Sequence, residues 1–145
     1  MPHWVTQGVA EYSKRLQGFV DLEIIELPLQ KRTNKPGDLA KIREKESHIM
    51  QAAIPASAYC IALAIEGKAY SSEKLSHKLE LLQQQIPHLC FLIGGPEGLS
   101  DDNLARCREL WSLSPLTLPH PLARIIVLES LYRAFAIHYN HPYHK

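Results

Sequence analysis

Residues 91–100, FLIGGPEGLS, run from an apolar stretch into three glycines and a proline, and residues 111–124, WSLSPLTLPHPLAR, carry Pro115, Pro119 and Pro121 through a leucine-dense segment. The first stretch is the tail of HLCFLIGG, an unbroken apolar run with no alternation of polar residues. A strand of that kind is buried on both faces, as in a parallel sheet covered by helices. A second such run, AYCIALAI from Ala58 to Ile65, precedes it. Two buried strands with a helix-length segment between them predict an α/β fold built on a mostly parallel sheet with helices on both faces.

Working outward, Val5, Val9, Tyr12 and Leu16 recur at steps of three and four, which predicts an opening helix. Val20 to Leu27 is short, rich in Val, Leu and Ile, and closed by Pro28, so it reads as a strand. Asp38 is placed to cap a helix with Leu39, Ile42, Ile49 and Met50 on its apolar face. Gly67 to Ser72 reads as a turn into a helix whose inner stripe is Leu75, Leu79, Leu82 and Ile86. Ser100 is the expected cap of a short helix ending near Leu110, WSLSPL is the expected third strand, and a last helix runs to about Tyr139. No repeat, linker or low-complexity tract interrupts this order, so residues 1–145 read as a single domain.

Composition narrows the class. The chain has 145 residues, 46% apolar and 21% charged, in the range of an ordinary globular domain, with a formal net charge of +1. Such a charge excludes a uniformly basic surface but not a basic face. Cys60, Cys90 and Cys107 are odd in number and lack C-x-x-C spacing, so neither a disulfide framework nor a cysteine-based zinc site is expected. No apolar run approaches the roughly 18 residues of a membrane span, and the opening residues lack a signal-peptide core. The reading is a cytoplasmic protein with no membrane partner.

In parallel sheets ligands gather at the carboxyl ends of strands, here Glu66 to Ser71, Gly94 to Ser100 and Leu116 to Arg124. The glycines of FLIGGPEGLS let backbone approach a ligand closely, or serve only an ordinary strand-to-helix turn. They match neither G-x-G-x-x-G nor the P-loop. The segment SLSPLTLPHPLAR is unusually apolar for a loop, which suits either plain packing or a heteroaromatic ligand that bonds its backbone. The tail HYNHPYHK groups His138, His141, Tyr143, His144 and Lys145. Three histidines invite a metal reading, but the break at Asn140 and His141-Pro142 disrupts one helical face and no carboxylate or cysteine supplements them, so no metal is expected. Lys31, Arg32 and Lys35, and separately Arg124, Arg133 and Lys145, are the better candidates for phosphate contact. Lys41, Arg43 and Lys45 alternate with Glu44 and Glu46 and read as a solvated face.

Taken together, FLIGGPEGLS, WSLSPLTLPHPLARIIVLESLYRA and NHPYHK closely resemble the bacterial SPOUT-class family that methylates N3 of a pseudouridine in helix 69 of 23S ribosomal RNA, the large subunit methyltransferase H family. The likeness is strongest over Phe91 to Lys145 and extends upstream through MPHWVTQGVAEY, Lys31-Arg32 and ALAIEGK. It implies a SPOUT fold with a deep C-terminal trefoil knot, an exception to the unknotted rule. It also implies S-adenosylmethionine (AdoMet) as cofactor, held by Leu63, Gly94, Leu113, Ser114, Pro115, Leu116, Thr117 and Leu118. By the same likeness Tyr143, His144 and Lys145 stand beside the target base with Arg124 as a cationic partner. His144 is the candidate acceptor of the N3 proton, Tyr143 the stacking or hydrogen-bonding group, and Lys145 a phosphate contact. The partners implied are 23S rRNA in the large subunit or 70S ribosome and a second copy of the chain, with Ile125, Ile126, Leu128 and Leu131 suited to a homodimer interface. Family members begin with about ten further residues forming a first strand ahead of the position that is Met1 here, so that strand is expected to be missing. The rival reading is a noncatalytic ribosome-binding or assembly protein that keeps the fold, which AdoMet titration would separate from the enzyme.

Overall fold

The apolar run beginning at Ala58 becomes β1 (Tyr59–Ala69), the centre of a three-stranded sheet in the order β2-β1-β3, with β2 spanning Leu89–Leu92 and β3 Glu109–Ser112. Both neighbours run parallel to it. In the computed structural model every residue is described except Met1, Arg32, Asn34 and Lys145. Five α-helices accompany the strands among the described residues: α1 (His3–Leu16), α2 (Asp38–Ala53), α3 (Ser72–Gln85), α4 (Asp101–Arg106) and α5 (His120–His138), followed by a 3-10 turn at Pro142–His144.

The unalternating apolarity of β1 has its expected cause. Ile61 joins Leu16, Leu79, Leu82, Trp111 and the inner face of α5 in the main core. On the opposite face Cys60 is fully buried with Cys90 in register beside it and Cys107, just past α4, nearby. Each fully buried aliphatic side chain of this kind contributes roughly 1.5–3 kcal/mol. The α2–α4 side is joined by polar contacts: the Ser47 and Ser100 hydroxyls lie 2.7 Å apart, and Gln51 Nε2 donates to Asn103 Oδ1 at 2.8 Å. Ser71 and Ser100 cap α3 and α4, accepting from the amides of Lys74 and Asn103 at 3.2 and 3.1 Å.

Several expected boundaries move. Val20 to Leu27 is not a strand; residues 21–31 take no regular structure. The segment lies across a groove of about 1140 Å³ from the free edge of β2, with Val20, Leu22 and Leu27 on one wall and Leu89, Phe91 and Leu92 on the other. Strand propensity without a ladder partner leaves an extended segment only. The expected turn at Gly67 is instead the second half of β1, because β3 crosses it closely. Trp111 is in register with both Leu63 and Lys68, across an irregularity, and a Cβ on Gly67 would stand 2.5 Å from the Leu110 carbonyl carbon. The short helix stops at Arg106 rather than near Leu110, and β3 begins at Glu109 rather than Trp111, since β1 recruits Glu109 and Leu110 into pairing. Gly37, at φ 82°, caps α2 in place of Asp38, whose carboxylate accepts from the Thr33 hydroxyl at 2.6 Å. Leu39 is exposed, and Ser47 is the buried residue of that helix. Among the described residues no helix is long and apolar enough to cross a membrane.

Candidate functional site

Register sets the ends of β2 and β3 beside the middle of β1. Ala62 is paired with Leu92 and Leu63 with Trp111, so Leu63 of β1 lies level with the carboxyl ends of β2 and β3, from which Gly94 and Leu113 follow within two residues. Leu63, Gly94, Leu113, Ser114 and Leu118 are each half-buried there. The glycine turn is tight: the Gly98 amide donates to the Gly95 carbonyl at 2.9 Å, and Gly98 takes φ 79°. A Cβ at Gly94 would meet the Gly98 carbonyl carbon at 2.6 Å and the Leu99 nitrogen at 2.8 Å. The backbone therefore folds onto itself where only glycine fits.

In the second loop Ser114 organises the chain. Its hydroxyl accepts from the Leu116 amide at 2.9 Å, while its carbonyl accepts from the Ser112 hydroxyl at 3.0 Å. The expectation of a wholly buried loop is corrected here: Pro115, Leu116 and Thr117 face outward, with Leu116 72% exposed. Prolines and the Ser114 turn hold this shape without burial.

Arg124 is not in a loop but in the opening turns of α5, which starts at His120 behind Pro119. It pairs with Glu26 across the groove at 3.3 Å. His120, on the same turn, is held below its ordinary value by burial and by the Arg124 charge. Gly94, His120 and Arg124 all line the groove, whereas residues 113–118 do not.

The tail is ordered by the end of α5. Asn140, at φ 57°, occupies the left-handed position after the helix; its amide donates to the Ile137 carbonyl at 3.2 Å and the His141 amide to that of Ala136 at 2.7 Å. This is a Schellman closure with Pro142 blocking continuation. The chain turns back so that the Tyr143 hydroxyl lies 3.1 Å from that of Tyr12 and 3.3 Å from Glu129. Burial first, then the Tyr12 hydrogen bond, push the Tyr143 phenol up to about 12, so it is a neutral donor at physiological pH. His144 Nδ1 sits 3.0 Å from the His141 carbonyl. A carbonyl only accepts, so Nδ1 is the donor in this contact and Nε2 takes no part in it. Lys145 lies outside the described residues.

A family model described as "Predicted SPOUT methyltransferase" matches residues 1–144. The chain belongs to the SPOUT methyltransferase family. Among curated members it is similar to two proteins named "Ribosomal RNA large subunit methyltransferase H" from Legionella pneumophila strains Paris and Lens, each 59% identical over all of this chain and 92% of the relative. A protein of the same name from Dichelobacter nodosus is 46% identical over the same shares.

For this SPOUT chain the structure groups the sequence-nominated residues into two sets. Leu63, Gly94 and Leu113 to Leu118 fall at one sheet edge, and Tyr143 and His144 fall against α1 and α5. Arg124 pairs with Glu26 and lines the groove together with Gly94. Arg133, nominated for phosphate, is bound to Glu129 at 2.6 Å and stacks over Tyr143 at 5.0 Å. Leu128 and Leu131, expected at a dimer interface, are buried in the chain's own core, which leaves Ile125 and Ile126 half-buried. Tyr12, Arg15, Glu129 and Glu26 were invisible as site residues in sequence, because ordinary helical or strand periodicity accounts for each.

Proposed function

We propose that this chain is an AdoMet-dependent methyltransferase acting on N3 of a pseudouridine in helix 69 of 23S rRNA, on the large subunit or the assembled 70S ribosome in the cytoplasm, with residues 1–145 as one domain. The observation that carries the reading is that Leu63, in the middle of β1, stands level with the ends of β2 and β3 from which Gly94 and Leu113 follow, in a chain 59% identical to large subunit methyltransferases H. These residues fit the cofactor: Leu63, Leu113 and Leu118 offer half-buried apolar surface, the Gly94 turn presents bare backbone, and the Ser114 turn holds the 115–118 segment open. Bound there, AdoMet supplies an activated sulfonium methyl.

The chain's own residues then have three tasks. Arg124 offers a fixed positive charge to the RNA, Tyr143 donates a hydrogen bond or stacks, and His144, whose Nδ1 is engaged by the His141 carbonyl, accepts the N3 proton through Nε2. Orienting the base supplies most of the rate enhancement, since the methyl donor is intrinsically reactive. We place Lys145 on a nearby phosphate.

We further propose that the segment from β3 through residues 113–119 into α5 forms the trefoil knot of the family, and that the chain works as a homodimer in which one subunit's tail completes the other's site. Support for the second point is Trp4 of α1, a large apolar side chain that lies more than half exposed.

Labelled AdoMet offered with whole ribosomes, free subunits and naked rRNA, with and without pseudouridine at the target, tests the reaction. Transfer confined to pseudouridine-containing large subunits or ribosomes is expected, with His144→Ala losing at least about tenfold in kcat at unchanged AdoMet affinity. Transfer independent of pseudouridine, or full activity in His144→Ala, would overturn the substrate or the base assignment respectively.

A further inference from the structure

Tyr143 is enclosed more completely than a terminal residue requires. Its ring meets the Tyr132 ring edge-on at 4.6 Å, and two guanidinium groups lie over it, Arg15 at 5.5 Å and Arg133 at 5.0 Å. Arg15 also lies over Tyr12 at 5.2 Å and Tyr132 at 5.7 Å, so one cation spans three aromatic rings. Each guanidinium is held in place by a carboxylate one helical turn away on its own helix, Arg15 by Glu11 at 2.8 Å and Arg133 by Glu129 at 2.6 Å. The Tyr143 hydroxyl closes the arrangement with Tyr12 and Glu129.

We propose that Tyr12 and Arg15 of α1 are positioning residues that seat the C-terminal tail through Tyr143 and thereby fix His144. The proposal rests on the reading that the tail serves methyl transfer, and it adds a role for α1. The Schellman closure directs the chain back but leaves Tyr143 and His144 on a 3-10 turn of three residues, too short to hold itself. Lateral contacts come from Glu129, Tyr132 and Arg133 of α5, and from α1 through Tyr12, 131 residues earlier in the chain, and Arg15. α1 is itself fixed to α5: Val5 and Leu16 are fully buried, and Gly8 stands so close to Ile125 that a Cβ would come within 2.7 Å of its Cδ1. The tail is therefore referenced to α5 directly, through the backbone and the Glu129, Tyr132 and Arg133 side chains, and again through α1.

Tyr12→Phe removes only the hydroxyl and keeps the ring against Tyr132. Arg15→Gln removes the cation, and Arg15→Lys restores a cation above the rings. In the full chain, amide hydrogen exchange at His141, Tyr143 and His144 is measured beside melting temperature, AdoMet affinity and kcat on ribosomes. Tyr12→Phe and Arg15→Gln are expected to speed tail exchange and lower kcat by about three- to tenfold, the equivalent of one hydrogen bond or cation–π contact. Melting temperature and AdoMet affinity should hold, and Arg15→Lys should recover most of both losses. Unchanged tail exchange in both variants overturns the proposal, as does a kcat loss matched by loss of AdoMet affinity or of folding. Faster tail exchange in a chain whose unsubstituted form methylates no ribosome supports the anchoring and removes the functional reading instead.

Discussion

Arg124 Nη1 stands 3.3 Å from Glu26 Oε1, which ties the first turns of α5 to the extended segment on the far wall of the groove. The arginine is three-quarters covered, while Glu26 is 60% exposed. A solvated pair of this kind contributes only about 0–1 kcal/mol, and an RNA phosphate can displace the carboxylate. Glu26→Gln should leave the melting temperature within about 2 °C and lower the apparent KM for ribosomes at low salt. Arg124→Gln should raise that KM and reduce the slope of log KM against log salt by about one. Parallel salt slopes for Arg124→Gln and the unsubstituted chain would remove Arg124 from phosphate contact.

Gly94→Ala should damage cofactor binding more than folding. The added methyl would collide with the Gly98 and Leu99 backbone at 2.6–2.8 Å, and backbone cannot swing aside as a side chain can. Opening the turn costs about 1–3 kcal/mol and displaces the strand end offered to AdoMet. Calorimetric titration should show at least about a tenfold weaker affinity. Unchanged affinity would place the cofactor elsewhere.

Glu109 gathers three donors: Tyr59 Oη at 2.6 Å, Trp111 Nε1 at 3.0 Å and Lys78 Nζ at 3.2 Å. Burial pushes its carboxyl up, but the three hydrogen bonds outweigh it and the net shift is downward from 4.5; the same bond raises the Tyr59 phenol to about 12. A depressed carboxyl contributes stability that is present above its unfolded value and lost as pH falls through the folded one. Tyr59→Phe should cost about 1–2 kcal/mol at neutral pH, a few degrees of melting temperature, and less in acid, where the carboxyl is neutral. A pH-independent cost would mean that the ring, not the bond, matters.

His120 supplies a pH signature of the same sign, in a higher window, at the site itself. Burial and the nearby Arg124 hold it below 6.5. Its folded form is therefore neutral, and the stability it contributes is full above the unfolded value and declines as pH falls from there through the folded value. His120→Asn should flatten melting temperature between about pH 5 and 7, and Arg124→Gln should bring the His120 titration, followed by NMR, closer to its ordinary value. A His120 titration indifferent to Arg124→Gln would leave burial as its sole cause.

Local patterns carried well where a residue's neighbours in sequence are also its neighbours in space. Val5, Val9, Tyr12 and Leu16 gave α1; Ser100 gave the cap of α4; and the break at Asn140 and Pro142 gave the end of α5. The unalternating runs from Ala58 and His88 gave a parallel sheet, because only a strand covered on both faces tolerates such apolarity. The motifs at Phe91–Ser100 and Trp111–Arg124 placed the family.

Tertiary structure decided what depends on partners distant in the chain. Val20 to Leu27 has the composition of a strand, yet hydrogen-bonded pairing makes a strand, and a groove separates it from β2. Gly67 looks like a turn until β3 passes directly over it. Leu116 looks buried by hydropathy, but the Ser114 turn and flanking prolines hold it outward. Tyr12 reads as one more apolar position of α1, and only the return of the tail turns its hydroxyl toward Tyr143. Sequence by itself determined the element types and the chemistry available at FLIGGPEGLS and NHPYHK. Which of those groups meet was settled by packing, since periodicity specifies a face and only the fold specifies what that face touches.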